Sequence, residues 1–68
     1  MRIIKLTENK ATVYHKSKYY YVSDNGEETL IFLSDSDGNV KSYRDVGGAK
    51  STTLKEVLGD FDSFLYGF

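Results

Sequence analysis

Apolar and aromatic residues alternate with polar ones in five short runs along the first two thirds of the chain. Alternation with a period of two is typical of β-strands, whose successive side chains point to opposite faces of a sheet. The runs predict strands at 2–6, 11–15, 19–23, 28–33 and 40–46. The dipeptides Asn25-Gly26 and Asp37-Gly38 separate the last three runs, and both tolerate the positive φ that a two-residue hairpin turn requires. Short strands joined by tight turns favour an antiparallel meander.

Pairing these strands around two-residue turns sorts their side chains onto two faces, because directly paired residues share a face. One face is aliphatic and carries Ile4, Leu6, Ala11, Val13, Tyr20, Val22, Ile31, Leu33 and Val40. The other, which we call the aromatic face, carries Ile3, Lys5, Thr12, Tyr14, Tyr19, Tyr21, Leu30, Phe32, Lys41 and Tyr43. Phe32 is expected opposite Tyr43. One bulge or a longer turn would invert part of this assignment.

The hydrophobic period changes to that of a helix in the last part of the chain. Apolar residues recur there at helical spacing, at Leu54, Val57, Leu58, Phe61 and Leu65. Thr53, with Glu56 three residues later, fits a capping box at the helix start. Gly59 and the acids at 60 and 62 weaken the helix midway and allow it to break into two pieces. The glycine-rich residues 47–50 are predicted to be a flexible connection.

These elements predict one α+β domain over residues 1–68. Its architecture is a five-stranded antiparallel β-meander followed by one C-terminal amphipathic helix packed on one face, for which the aliphatic face is the natural partner. A small closed β-barrel with a terminal helix is the alternative. In an open meander the first and fifth strands keep free backbone groups, which can pair with a strand of another chain. On the fifth strand, Lys41, Arg44 and Asp45 are charges that discourage such pairing.

Composition excludes several classes of function. The chain has no cysteine and one histidine, His15, so we expect neither a disulfide nor a multi-ligand metal site. No spacing brings His15 to an acid or nucleophile, and we expect a non-enzymatic protein without cofactor. No apolar run approaches the length of a membrane span, and no signal peptide is evident, so a cytoplasmic location is expected.

Two loops resemble fragments of ligand-binding motifs but lack essential residues of those motifs. Residues 47–52 lie between a predicted strand and a predicted helix, as a phosphate-binding loop does, but Ala49 stands where that loop needs glycine. Residues 35–39 resemble the start of a calcium loop, but Val40 and Val46 occupy the positions of its glycine and its bidentate glutamate. A hinge with a helix cap and a hairpin turn are the favoured interpretations.

The aromatic face is the candidate binding surface. Its rings are Tyr14, Tyr19, Tyr21, Phe32 and Tyr43, and tyrosine and phenylalanine are enriched at protein interfaces. A small chain without catalytic chemistry is typical of accessory or inhibitory proteins that dock on a larger partner, a profile common among phage and mobile-element proteins. We therefore expect a small protein-protein interaction module. The rings could also form a second core, or serve a structural homodimer that has no further activity.

A single-stranded nucleic-acid-binding sheet is the alternative from another class of function. Bases would stack on the tyrosines, and the candidate anion or phosphate contacts are Lys16, Lys18, Arg44 and Lys50. The net charge of −1 argues against a general nucleic-acid binder, while a local basic patch stays open. Four acids border the same strands and weaken this interpretation: Glu27, Glu28, Asp35 and Asp37.

Overall fold

A computed structural model describes residues 1–65, which form an open antiparallel sheet with two short helices against one face. The elements are β1 (Arg2–Leu6), β2 (Lys10–His15), β3 (Lys18–Asp24), β4 (Glu28–Ser34), β5 (Val40–Lys50), α1 (Leu54–Gly59) and α2 (Phe61–Leu65). The strand order in the sheet is the order in the chain. Over these residues β1 and β5 lie at opposite edges and do not pair with each other. The α+β meander is therefore confirmed, and the closed-barrel alternative is wrong.

The β2–β3 hairpin has the predicted register. Tyr14 pairs with Tyr19, and Val13 pairs with Tyr20. The two residues of the turn, Lys16 and Ser17, both have positive φ, 49° and 69°, as a two-residue hairpin turn requires. Neither is a glycine, so this turn is formed by residues for which the left-handed conformation is uncommon.

The β3–β4 hairpin is displaced from the prediction by two residues. Val22 pairs with Ile31 rather than with Thr29, because the turn is centred one residue further along the chain. The Asn25 backbone N–H donates to the carbonyl of Glu28 at 3.1 Å, and the Asn25 side-chain oxygen accepts from the backbone N–H groups of Glu27 and Glu28. A displacement of two leaves every side chain on its predicted face.

The two edge strands depart further from the predicted register. In β1, Leu6 pairs with Ala11 as predicted, but a bulge at Ile4 pairs Ile3 with Val13. In β5, two irregularities separate the pairing of Ser34 with Val40 from that of Ile31 with Gly47. Bulges of this kind place two residues opposite one and rotate the following side chains to the other face.

The predicted flexible connection at residues 47–50 is wrong, because these residues are the second half of β5. Gly47 pairs with Ile31, and Gly48 pairs with Leu30. A Cβ on Gly47 would collide with the backbone of α2, at 2.8 Å from the Cα of Leu65. The glycine is therefore needed for the close approach of α2 to β5 rather than for flexibility.

The core lies between the aliphatic face and the two helices. Its buried members are Ala11, Val13, Tyr20, Val22, Ile31, Leu54, Val57, Phe61 and Leu65. The prediction that the C-terminal helical segment covers this face is confirmed. Leu6 pairs with Ala11 on this face as predicted, but Leu6 and Ile4 are 56% and 42% exposed, because the helices leave the edge strand β1 uncovered.

The helical segment begins and breaks where its sequence indicates. Thr53 is the N-cap of α1, and its Oγ1 accepts from the backbone N–H of Glu56 at 3.2 Å. The segment breaks at Asp60, so the single predicted helix is two short ones. The Asp24 carboxylate also accepts from the Leu54 backbone N–H at 3.2 Å, which ties the end of β3 to the start of α1.

Candidate functional site

Four aromatic residues of the aromatic face lie on the three inner strands of the sheet, β2, β3 and β4. The rings of Tyr14 and Tyr19 have centroids 4.9 Å apart at an interplanar angle of 54°. Tyr21 pairs with Phe32 across β3 and β4. All four side chains are half-buried, and within residues 1–65 both helices pack on the opposite face. We call this group, Tyr14, Tyr19, Tyr21 and Phe32, the ring cluster.

Tyr43, the fifth predicted ring, does not join the ring cluster. Phe32 pairs with Asp45 instead of with Tyr43, because the β4–β5 ladder is irregular on both sides of Phe32. The expected pairing of Phe32 with Tyr43 is therefore wrong. Tyr43 is 91% exposed on the edge strand, and the sequence gives no signal for the irregularities that place it there.

The turn between β4 and β5 folds over one side of the aromatic face. Gly38 lies so close to Thr12 that a Cβ on the glycine would be 2.7 Å from Thr12 Oγ1, and Thr12 is only 5% exposed. The Asp35 carboxylate holds the turn by accepting from the backbone N–H groups of Asn39 and Asp37, each at 2.9 Å. The hydrogen bond from the Asn39 backbone N–H, and after it the one from Asp37, lowers the pKa of Asp35 below its usual value.

A hollow of about 250 Å³ lies between this turn and the sheet. Lys5 and Lys10 line it together with Tyr21, and Asp37 contributes one carboxylate. Arg2 adds a third cation to the same face, with its guanidinium carbon 5.8 Å from the centroid of the Tyr14 ring. The rings are therefore bordered by more positive than negative charge on the β1 side.

The four candidate anion contacts do not converge. Lys16 lies in the β2–β3 turn and Lys18 follows it at one end of the sheet, and Lys16 Nζ lies 3.3 Å from Asp62. Lys50 pairs with Glu28 at the other end. Arg44 lies on the edge strand β5 beside Asp45. This arrangement gives no continuous cationic track along the ring cluster.

A histidine–carboxylate pair, which spacing gave no reason to expect, joins β2 to α2. His15 Nε2 donates to Asp62 Oδ1 at 2.7 Å across 47 positions of the chain. The His15 side chain is 10% exposed, and its ring meets Phe61 edge to face with centroids 5.2 Å apart. The other ring nitrogen, Nδ1, is buried without a hydrogen-bond partner among the described residues. The pair fastens α2 to the end of β2.

An apolar groove separates β1 from α1. It has a volume of about 500 Å³ and is lined by Ile3 and Leu6 on one side and by Leu54 and Leu58 on the other. Ile3 is 44% exposed. The groove exists because α1 and α2 cover β2 to β5 and leave β1 uncovered. Sequence reasoning missed the groove because it placed Ile3 on the aromatic face, and that placement is wrong: the bulge at Ile4 pairs Ile3 with Val13 on the aliphatic face.

Three further observations bear on function. In the described part of the chain, no group of three or more His, Cys, Asp or Glu side chains is placed to hold a metal ion. None of the helices within residues 1–65 is long and apolar enough to cross a membrane. Comparison of the chain with protein-family models, curated proteins and solved structures finds no match.

Proposed function

We propose that this chain is a non-enzymatic protein-interaction module that docks on a partner protein through its ring cluster. The observation that carries the proposal is the position of the ring cluster, because four half-buried aromatic side chains lie on a sheet face that neither helix covers. Contiguous exposed apolar surface on a small protein marks interaction sites. Buried aromatic anchors supply much of the binding energy of protein interfaces.

The geometry of the ring cluster favours binding because two of its rings, those of Tyr14 and Tyr19, are already held in place. Tyr14 and Tyr19 contact each other, and Arg2 lies over Tyr14. A side chain that is ordered before binding loses less conformational entropy when a partner arrives. The phenol hydroxyls also give the three tyrosine rings a polar end, which suits a surface that is wet when free and dry when bound.

Charge beside the ring cluster indicates the kind of partner surface. Arg2, Lys5 and Lys10 border it on the β1 side, and Asp37 is the acid that lines the same hollow. A partner that presents carboxylates beside an apolar patch would complement this arrangement. The nucleic-acid alternative has less support, because the cations proposed for phosphate contacts lie at opposite ends of the sheet.

The experiment compares partner capture by matched tyrosine variants. The immobilised chain is incubated with lysate of its native host, and retained proteins are quantified by mass spectrometry. We expect a specifically retained protein to be lost with the double variant Tyr19→Ala and Tyr21→Ala. Tyr43→Ala is the matched control, because it removes the same side chain outside the ring cluster, and it should retain the protein.

Folding of each variant is checked by circular dichroism and thermal unfolding before capture is interpreted. Retention that survives in the folded double variant would contradict docking through the ring cluster. Unfolding of Tyr19→Ala and of Tyr21→Ala would also contradict it, because the rings would then be part of a second core.

A further inference from the structure

Within residues 1–65, strand β1 has an unpaired outer edge and two chemically different sides. In this part of the chain it pairs with β2 on one side only and ends the sheet. All five of its residues are exposed. An edge strand presents a row of backbone N–H and C=O groups that another strand can pair with. The outer edge of β1 therefore offers backbone groups for pairing that are distinct from the aromatic side chains of the ring cluster.

The bulge at Ile4 sorts the side chains of β1 by chemistry. Ile3 and Leu6 pair with Val13 and Ala11, so they lie on the aliphatic face beside the apolar groove. Arg2 and Lys5 pair with Tyr14 and Thr12, so they lie on the aromatic face. Without the bulge, Ile3 would share a face with Lys5 and the two chemistries would be mixed.

We propose that β1 accepts an extended strand of another protein in which apolar and acidic residues alternate. A strand that adds to a sheet edge has side chains on both faces with a period of two. Its apolar residues would enter the groove between Ile3, Leu6, Leu54 and Leu58. Its acidic residues would meet Arg2 and Lys5, whose cationic groups have no acidic partner within residues 1–65, where the ion pairs are those of Asp62.

Charge argues against a second copy of this chain as the occupant. If two copies paired through their β1 strands, a two-fold axis perpendicular to the sheet would relate them. The aromatic faces of both copies would then lie on the same side of the joined sheet, and so would Arg2 and Lys5 of both copies. Like charges on neighbouring strands destabilise pairing. An acidic strand from a different protein removes this repulsion and fills the same apolar groove.

The test uses the intact chain and three synthetic heptapeptides, each acetylated and amidated. In the first peptide Glu and Val alternate, in the second Lys and Val alternate, and the third has the composition of the first without alternation. Each is titrated to millimolar concentration into isotope-labelled protein while amide chemical shifts are followed by NMR. We expect the first peptide to change the amide chemical shifts of β1, Leu54 and Leu58. We also expect it to bind about tenfold more tightly than the second peptide, which is the difference that two weak exposed ion pairs can supply.

Two variants make the result specific. The double charge reversal Arg2→Glu and Lys5→Glu should invert the preference, so that the Lys-Val peptide binds more tightly. Leu6→Ser removes apolar surface from an exposed position without changing charge, and it should weaken both alternating peptides. A wild-type-like amide spectrum in the absence of peptide shows that each variant is folded.

Three outcomes would overturn the proposal. The first is an absence of shifts in β1 with the Glu-Val peptide at millimolar concentration. The second is equal binding of the alternating and non-alternating peptides. The third is a concentration-dependent dimer of the chain alone with shifts confined to β1. No ring of the ring cluster is replaced in these experiments, and all three outcomes are measured on the wild-type chain, so they leave the proposed docking of the ring cluster unaffected.

Discussion

His15 Nε2 lies 2.7 Å from Asp62 Oδ1 and thereby fastens α2 to the end of β2. The hydrogen bond from His15, followed by the contribution of Lys16, lowers the pKa of Asp62 below 3.8 in the folded protein. A carboxyl whose pKa is lowered by folding stabilises the protein at pH values above its unfolded-state pKa. This stabilisation is lost as the pH falls through the lower folded-state value.

Asp62→Asn is therefore expected to reduce stability most at neutral pH. The gap in unfolding free energy between wild type and variant should close as the pH falls below 3.8. Urea unfolding at a series of pH values from 7 to 2 measures this gap. Asp60→Asn is the matched control at a neighbouring exposed acid. A gap for Asp62→Asn that stays constant across the series would show that the hydrogen bond does not depend on the carboxylate charge.

The packing of the His15 ring predicts different results for two substitutions. His15→Ala removes the edge-to-face contact with Phe61 and the hydrogen bond to Asp62, and we expect a loss of about 2 kcal/mol. His15→Phe keeps an aromatic ring against Phe61 and removes the buried Nδ1 that has no partner among the described residues. His15→Phe should lower the free energy of unfolding by less than about 1 kcal/mol. Chemical denaturation at pH 7 compares the two, and equal losses would mean that the hydrogen bond, not the ring, holds α2.

The contact of Gly47 with α2 predicts that Gly47→Ala is strongly destabilising. Its Cβ would collide with the backbone of Phe64 and Leu65, so α2 would have to move away from β5. We expect the free energy of unfolding to fall by about 2–3 kcal/mol, as it does when other well-packed sites are overfilled. Gly59→Ala is the control, because nothing lies within 4 Å of its Cβ position, and it should be neutral or stabilise by about 0.5 kcal/mol. Thermal unfolding of both variants measures the difference.

The cap of α1 predicts a smaller and more local effect. Thr53→Ala removes the hydroxyl that accepts from the Glu56 backbone N–H, and loss of such a cap costs about 1 kcal/mol. Thr53→Ser should retain most of the stability because it keeps the hydroxyl. Native-state hydrogen exchange should show the loss in the first turn of α1. An unchanged exchange rate of the Glu56 amide in Thr53→Ala would contradict the role of the cap.

Alternation and turn chemistry were sufficient to predict most of the fold. They placed Val13, Tyr20, Val22 and Ile31 on the covered face, although the β3–β4 register differs by two residues from the prediction. The prediction of which side chains lie on the covered face was still correct. Side chains alternate with a period of two, so a displacement by an even number of residues does not change the face. The helix break near Gly59 also followed from local propensity.

The candidate site was less predictable because it depends on irregular positions. The bulge at Ile4 and the irregular ladder beside Phe32 decide where Ile3 and Tyr43 lie. A bulge depends on how an edge strand fits the twisted sheet, and local composition does not encode it. The His15–Asp62 pair could not be predicted for a similar reason, because only the docking of α2 brings the two residues together.

The agreement between strand order and chain order has a consequence for how fast the protein folds. Each strand pairs with its neighbour in the chain, so every step of sheet formation closes a short loop at low entropic cost. The chain contains no proline and no cysteine, so neither prolyl isomerisation nor disulfide exchange can add a slow step. Refolding of the chain after denaturant dilution should therefore be complete in a single fast phase, which brings the ring cluster and the edge of β1 to their native form without a slow step.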